Sequence, residues 1–153
     1  MADTIRQLII TAISTGLKQI LVSNGYVTNI GQTVEVAKTK IDKSDIPACT
    51  VWPSSETAVK MSGKNKCTMP VRIEALSVIG PSENASQVAE KMLGDLKTRI
   101  ESQTSDISGG YCDHVEYYQG GPDTYPEPGD TIVNCSVTYN FIYRAKIGNP
   151  YSQ

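Results

Sequence analysis

From residue 133 to residue 141 the chain alternates apolar and polar side chains, within a stretch of strand-forming residues that runs from 131 to 145. Val133, Cys135, Val137, Tyr139, Phe141 and Tyr143 take the odd positions, and Asn134, Ser136, Thr138 and Asn140 the even ones. Successive side chains of a strand point to opposite faces, so the pattern predicts one strand with a buried face and a polar face. At about 3.3 Å per residue it would run roughly 50 Å, beyond the usual span of about 3 to 10 residues. That length predicts a central strand, bent or reaching past its own domain. Its polar face carries almost no charge, which suits a loosely packed helix, a neighbouring subunit or water.

Such a strand needs a layer over its apolar face, and 153 residues with 39% hydrophobic content are enough to build one. The whole chain, 1–153, therefore reads as a single domain. Its 14 basic and 16 acidic residues leave a net charge of -2, which argues against wrapping nucleic acid or adhering to a membrane. The expected partner is protein. No apolar run approaches the roughly 20 residues of a membrane helix. The amino terminus, with Asp3 and an amphipathic pattern, lacks the marks of a signal peptide, so the chain is expected to be made and kept in a cytoplasm.

The layer comes from two amphipathic helices. Ile5, Leu8, Ile9, Ala12, Ile13, Leu17, Ile20 and Leu21 recur at three- and four-residue spacing, predicting a first helix that ends near Ser23 ahead of Asn24-Gly25. Gly16 within it is expected to mark a close approach to the sheet. Asn84, with Gln87 three residues on, predicts a capping box for a second helix. That helix turns Val88, Ala89, Met92, Leu93, Leu96 and Ile100 inward, and Glu90, Lys91, Asp95, Lys97 and Glu101 outward. Further strands are expected at 33–37, at 48–52 between Pro47 and Pro53, and at 69–79 with a change of face near Ala75. Residues 111–118 alternate weakly. The predicted fold is α+β: a mixed, largely antiparallel sheet of about four to five strands with two amphipathic helices packed on it.

Three segments stay outside this core pattern. Residues 54–68, with Lys60, Lys64 and Lys66, read as a solvated loop or as a hairpin arm reaching a neighbour. Residues 120–130, with Asp123, Glu127 and Asp130 among prolines and glycines, read as an acidic semi-rigid turn. The tail at 146–153, with Tyr151, is expected to be loose or docked on another subunit. These seven charged and aromatic residues are the candidate partner contacts.

Chemistry has little to stand on. The four cysteines are scattered singly, and His114 is the sole histidine. Cys112 and His114, two apart on a strand, would share a face. That is the one place for a nucleophile or a metal, although zinc needs four ligands, or three and a water. No metal-protease, hydrolase or phosphate-loop motif occurs. No catalytic residue, metal or cofactor is expected.

The order of these features carries a resemblance. It runs from the first helix through Thr28-Asn29-Ile30-Gly31-Gln32-Thr33-Val34 and Ile46-Pro47-Ala48-Cys49-Thr50-Val51-Trp52-Pro53 to a long strand and one covering helix. A last strand then ends Tyr143-Arg144 before Gly148-Asn149-Pro150-Tyr151. Over nearly the whole chain this resembles the tail terminator, or tail completion, proteins of long-tailed bacteriophages. The resemblance implies a homohexameric ring on the head-proximal end of the tail tube, assembled in the host cytoplasm and retained in the virion. Its partners would be other copies, the tail tube protein and a head connector or neck protein, with DNA only as passing cargo and no membrane. Residues 54–68 and 120–130 would then make contacts along the ring axis. Other neck components, tube subunits, a monomeric adaptor and a small enzyme using Cys112 and His114 are the alternatives.

Overall fold

A computed structural model describes residues 2–153. In chain order the elements are α1 (Ile5–Leu17), β1 (Val34–Val36), β2 (Ala48–Pro53), β3 (Thr57–Met61), β4 (Lys64–Val78), α2 (Ala85–Ser102), α3 (Thr104–Ile107), β5 (Cys112–Thr124) and β6 (Ile132–Lys146). They form the expected α+β fold. The sheet has six strands in the order β1-β2-β4-β6-β5, with β3 beside the first part of β4. Only β1 and β2 run parallel; the other neighbours are antiparallel.

The long alternating strand is β6, and it lies at the centre as its pattern requires. It pairs with β4 from Lys64↔Lys146 to Val78↔Ile132 without a register shift. Tyr139 and Phe141 are fully buried, and the odd-numbered residues of β4 and β6 share one core with α1 and α2. Both long helices therefore cover the same face. The even-numbered face stays half-exposed along most of its length, with Ile142 the buried exception. The expected change of face near Ala75 does not occur: alternation continues through β4, leaving Leu76 on the polar face and Val78 half-exposed. Tyr117 of β5 sits edge-on to Tyr139, with ring centroids 5.4 Å apart, a favoured aromatic geometry.

The helices differ from expectation at their ends. Thr4 caps α1 through its hydroxyl, which accepts from the Gln7 N–H. The helix stops at Leu17, several residues before Ser23, because the chain turns inward there: Ile20 is fully buried and its carbonyl accepts from the Gly31 N–H at 2.9 Å. Gly16 does mark a close approach, but to α3 rather than the sheet, since a β-carbon there would lie 2.5 Å from Ile107 Cδ1. The capping box at Asn84 and Gln87 is formed as predicted. Asp95, expected on the outer face of α2, is buried.

Residues 54–68 take the hairpin form, one of their two expected readings, and two other connections are more ordered than their composition indicated. Residues 54–68 hold β3 and the start of β4, joined at Ser62 and Gly63, whose φ values of 46° and 79° are those of a two-residue type I′ hairpin turn. Gly120, Gly121 and Pro122 lie inside β5 rather than closing it. Residues 147–153 fold back on their own chain: Pro150 O accepts from Ile5 N–H at 2.9 Å and Ser152 O from Lys146 N–H at 2.9 Å.

Candidate assembly surface

The hairpin gathers the predicted lysines at one end of the sheet, where β6 adds further basic residues; Lys60, opposite Asn65, lies on the other face from Lys64 and Lys66. With Cys67 buried, alternation puts Lys64 and Lys66 on the polar face of the sheet, opposite Lys146 and Arg144. Like charges directly across a sheet are destabilising. Asp113 of β5 offsets one of them, accepting from Arg144 Nε at 2.8 Å and Nη2 at 3.0 Å. Among the described residues, Lys60, Lys64, Lys66 and Lys146 pair with no acid. Glu56, at the foot of the hairpin, is already engaged by Arg6 Nη1 at 3.3 Å and by the Tyr143 hydroxyl. Burial, and secondarily that carboxylate, push the Tyr143 hydroxyl well above its ordinary range.

Glu127 and Asp130 lie beyond the other end of β4 and β6, whose paired length is roughly 46 Å at about 3.3 Å per residue, whereas Asp123 sits partway along, beside Arg72 and Ser136. They do not act together. Asp123 belongs to β5, not to a turn, and is neutralised within its own sheet, accepting from Arg72 Nη2 at 3.0 Å and Ser136 Oγ at 2.7 Å. Glu127 and Asp130 sit in the connection to β6, exposed and without an ion-pair partner among the described residues. Tyr125 beside them is 58% exposed. Tyr151 is exposed near the opposite, hairpin end, where the tail folds against α1 and the turn at Gly63.

Cys112 and His114 do not form a site. A register shift between them pairs Cys112 with Tyr143 but His114 with Ile142, so the two side chains lie on opposite faces. The bulge inserts a residue that no sequence periodicity marks. Burial also pushes the Cys112 thiol up to about 12, and the thiolate is the nucleophile. No group of three or more His, Cys, Asp or Glu able to hold a metal occurs among the described residues.

A measurable consequence follows from Cys112 and Cys135, whose thiols burial raises from 9.0 to about 12. The unfolded chain releases these protons near pH 9 while the folded one holds them to about pH 12. Their contribution to stability is therefore complete below pH 9 and lost between pH 9 and 12. At pH 8 the native Cys112 should react with a disulfide reagent about a thousandfold more slowly than in urea. Equal rates would mean that the thiol is exposed.

Two buried charged residues that sequence reasoning missed hold the helical layer together. Asp95 accepts from Val27 N–H at 3.1 Å, Thr28 N–H at 2.7 Å and Thr28 Oγ1 at 2.6 Å. Arg99 donates from Nε to Gly16 O at 2.9 Å, and reaches Gln103 at 2.9 Å and Asp106 at 2.5 Å. Arg99 and Asp106 also line a cavity of about 750 Å³ between α1, α2 and Tyr111. Every Arg99 contact there is to the protein's own frame. Among the described residues no helix is long and apolar enough to cross a membrane. No family model matches the chain, and neither does any curated protein.

Proposed function

We propose that the chain is a structural subunit that closes into a ring of six. The resemblance of its sequence to tail terminator proteins suggests that this ring caps the head-proximal end of a phage tail tube. Capping would end tube growth and offer a surface for head joining. In this reading the protein is no enzyme, its partners are its own copies, the tube protein and a neck or connector protein, and DNA merely passes through.

The observation that supports the reading is the charge on the two ends of the sheet. Four unpaired lysines gather at the hairpin end, and Glu127 and Asp130 stand unpaired at the other. Like ends repel and unlike ends attract, so copies meet head to tail, and a head-to-tail contact closes into a ring when its rotation allows.

Sedimentation with negative-stain imaging tests it. Six chains of 16.6 kDa give about 100 kDa, and rings of that mass, alone or on tail tips, are expected. Replacing Lys64, Lys66 and Lys146 with Glu should abolish them, and adding Glu127→Lys with Asp130→Lys should restore them. A monomer that leaves tails uncapped would refute the reading, and open filaments would indicate a tube subunit instead.

A further inference from the structure

The sheet has three free edges, and they are not equally protected. Strand β1 is three residues long. Strand β5 is interrupted by register shifts at three places, contains Pro122 and carries Asp113, Glu116 and Asp123. Short length, bulges, proline and inserted charge are the usual ways of keeping an edge from pairing with another chain. Strand β3 lacks most of them. Its five residues pair regularly with β4, all five are exposed, and Lys60 is its one charge. Val59 is 67% exposed and Met61 48%.

The direction in which β3 offers its hydrogen bonds follows from the hairpin. Around a two-residue turn the flanking pair, here Met61 and Lys64, is hydrogen-bonded, and bonded pairs then alternate along the ladder. Thr57, Val59 and Met61 thus bond inward to β4. Ala58 and Lys60 point their N–H and C=O groups outward.

The same chain carries a segment suited to that edge. In Tyr125-Pro126-Glu127-Pro128 the prolines are two apart, so in an extended conformation both donor-less nitrogens fall on one side. Tyr125 and Glu127 would then present their N–H groups on the other. Neither N–H is used in a backbone bond among the described residues, whereas the Glu127 carbonyl accepts from Asp130 N–H at 3.0 Å. The segment is acidic, and the edge is flanked by unpaired lysines.

We propose that residues 125–127 of one copy add as a short strand to the free edge of β3 in the next. The inference rests on the head-to-tail reading given above and specifies its contact. Main-chain bonds to Ala58 and Lys60 supply the pairing, as in other cases of strand addition. Glu127 comes within one cross-strand or diagonal step of Lys60. A second β3 is a poor occupant, because it would bring another cluster of lysines against the first.

Cross-linking tests the contact directly. Lys60→Cys and Glu127→Cys, made in separate chains and mixed under mild oxidation, should give a linked pair that neither variant gives alone. One chain carrying both substitutions should give a ladder ending at six. Ala58→Pro with Lys60→Pro removes only outward N–H groups. It should raise the concentration needed for the 100-kDa species by about tenfold or more, with the circular dichroism of the monomer unchanged. Rings that form without the mixed cross-link, or Lys60→Cys chains linking to one another, would overturn the edge contact and leave the ring reading standing. Failure of any ring to form, alone or on tails, would remove both.

Discussion

Gly31→Ala should leave little folded protein. A β-carbon at Gly31 would lie 2.4 Å from Leu17 O, 2.8 Å from Ile20 O and 2.9 Å from Ile20 N. All three are backbone atoms at the end of α1, so no side chain can swing aside. Nor can the residue retreat, because its own N–H is bonded to Ile20 O. Overpacking typically costs about 1–3 kcal/mol, and against a fixed backbone frame the upper end, about 3 kcal/mol or more, is expected, a large share of the roughly 5–15 kcal/mol that holds a domain of this size together. Gly25→Ala makes the comparison sharp. Its φ of +92° strains any side chain, but nothing lies within 4 Å of the new carbon, and the cost should be about 1–2 kcal/mol. Urea midpoints measure both, and a Gly31→Ala protein as stable as Gly25→Ala would show that the end of α1 yields.

Asp95→Ala should lower the melting temperature by about 6–12 °C, corresponding to roughly 3 kcal/mol at this chain length. The carboxylate is 4% exposed and takes three hydrogen bonds from Val27 and Thr28. Its loss strands two main-chain donors and frees the connection from α1 to β1. Thr28→Val removes only the hydroxyl bond and should cost about 1 kcal/mol. Calorimetry on the two variants separates main-chain from side-chain contributions, and equal losses would contradict the main-chain role.

These two positions also show where the sequence was legible and where it was not. The alternation through Val133, Val137 and Phe141 announced a half-buried central strand, and it appears as one. The stripe from Val88 to Ile100 announced the covering helix. Both readings work because burial on one side imposes a period. Strand β3 has no such period: both of its faces are exposed, so Thr57, Val59 and Lys60 look like loop residues although their backbone is paired. Asp95 sits among the buried positions of α2, yet polarity assigned it to solvent, because periodicity cannot reveal that a loop brings unpaired N–H groups to meet it. Gly16 was correctly singled out for a close approach, but a lone sequence cannot say which element approaches. For the candidate contacts, charge was visible and grouping was not: Lys64 and Lys66 join Arg144 and Lys146 only through the β4–β6 register, and Asp123 is lost to Arg72 through pairing across the sheet.

The unshifted pairing of β4 with β6 has a mechanical side. Its hydrogen bonds lie across the strand axis, so tension applied along the strands loads all of them in shear at once. Tension at right angles would peel them open one after another. The hairpin lysines stand at one end of this pair and the acidic connection at the other, so a neighbour gripping either end pulls along the stiff direction. In the proposed ring, strain between copies would then be borne in shear by the whole β4–β6 ladder instead of unzipping it from one end.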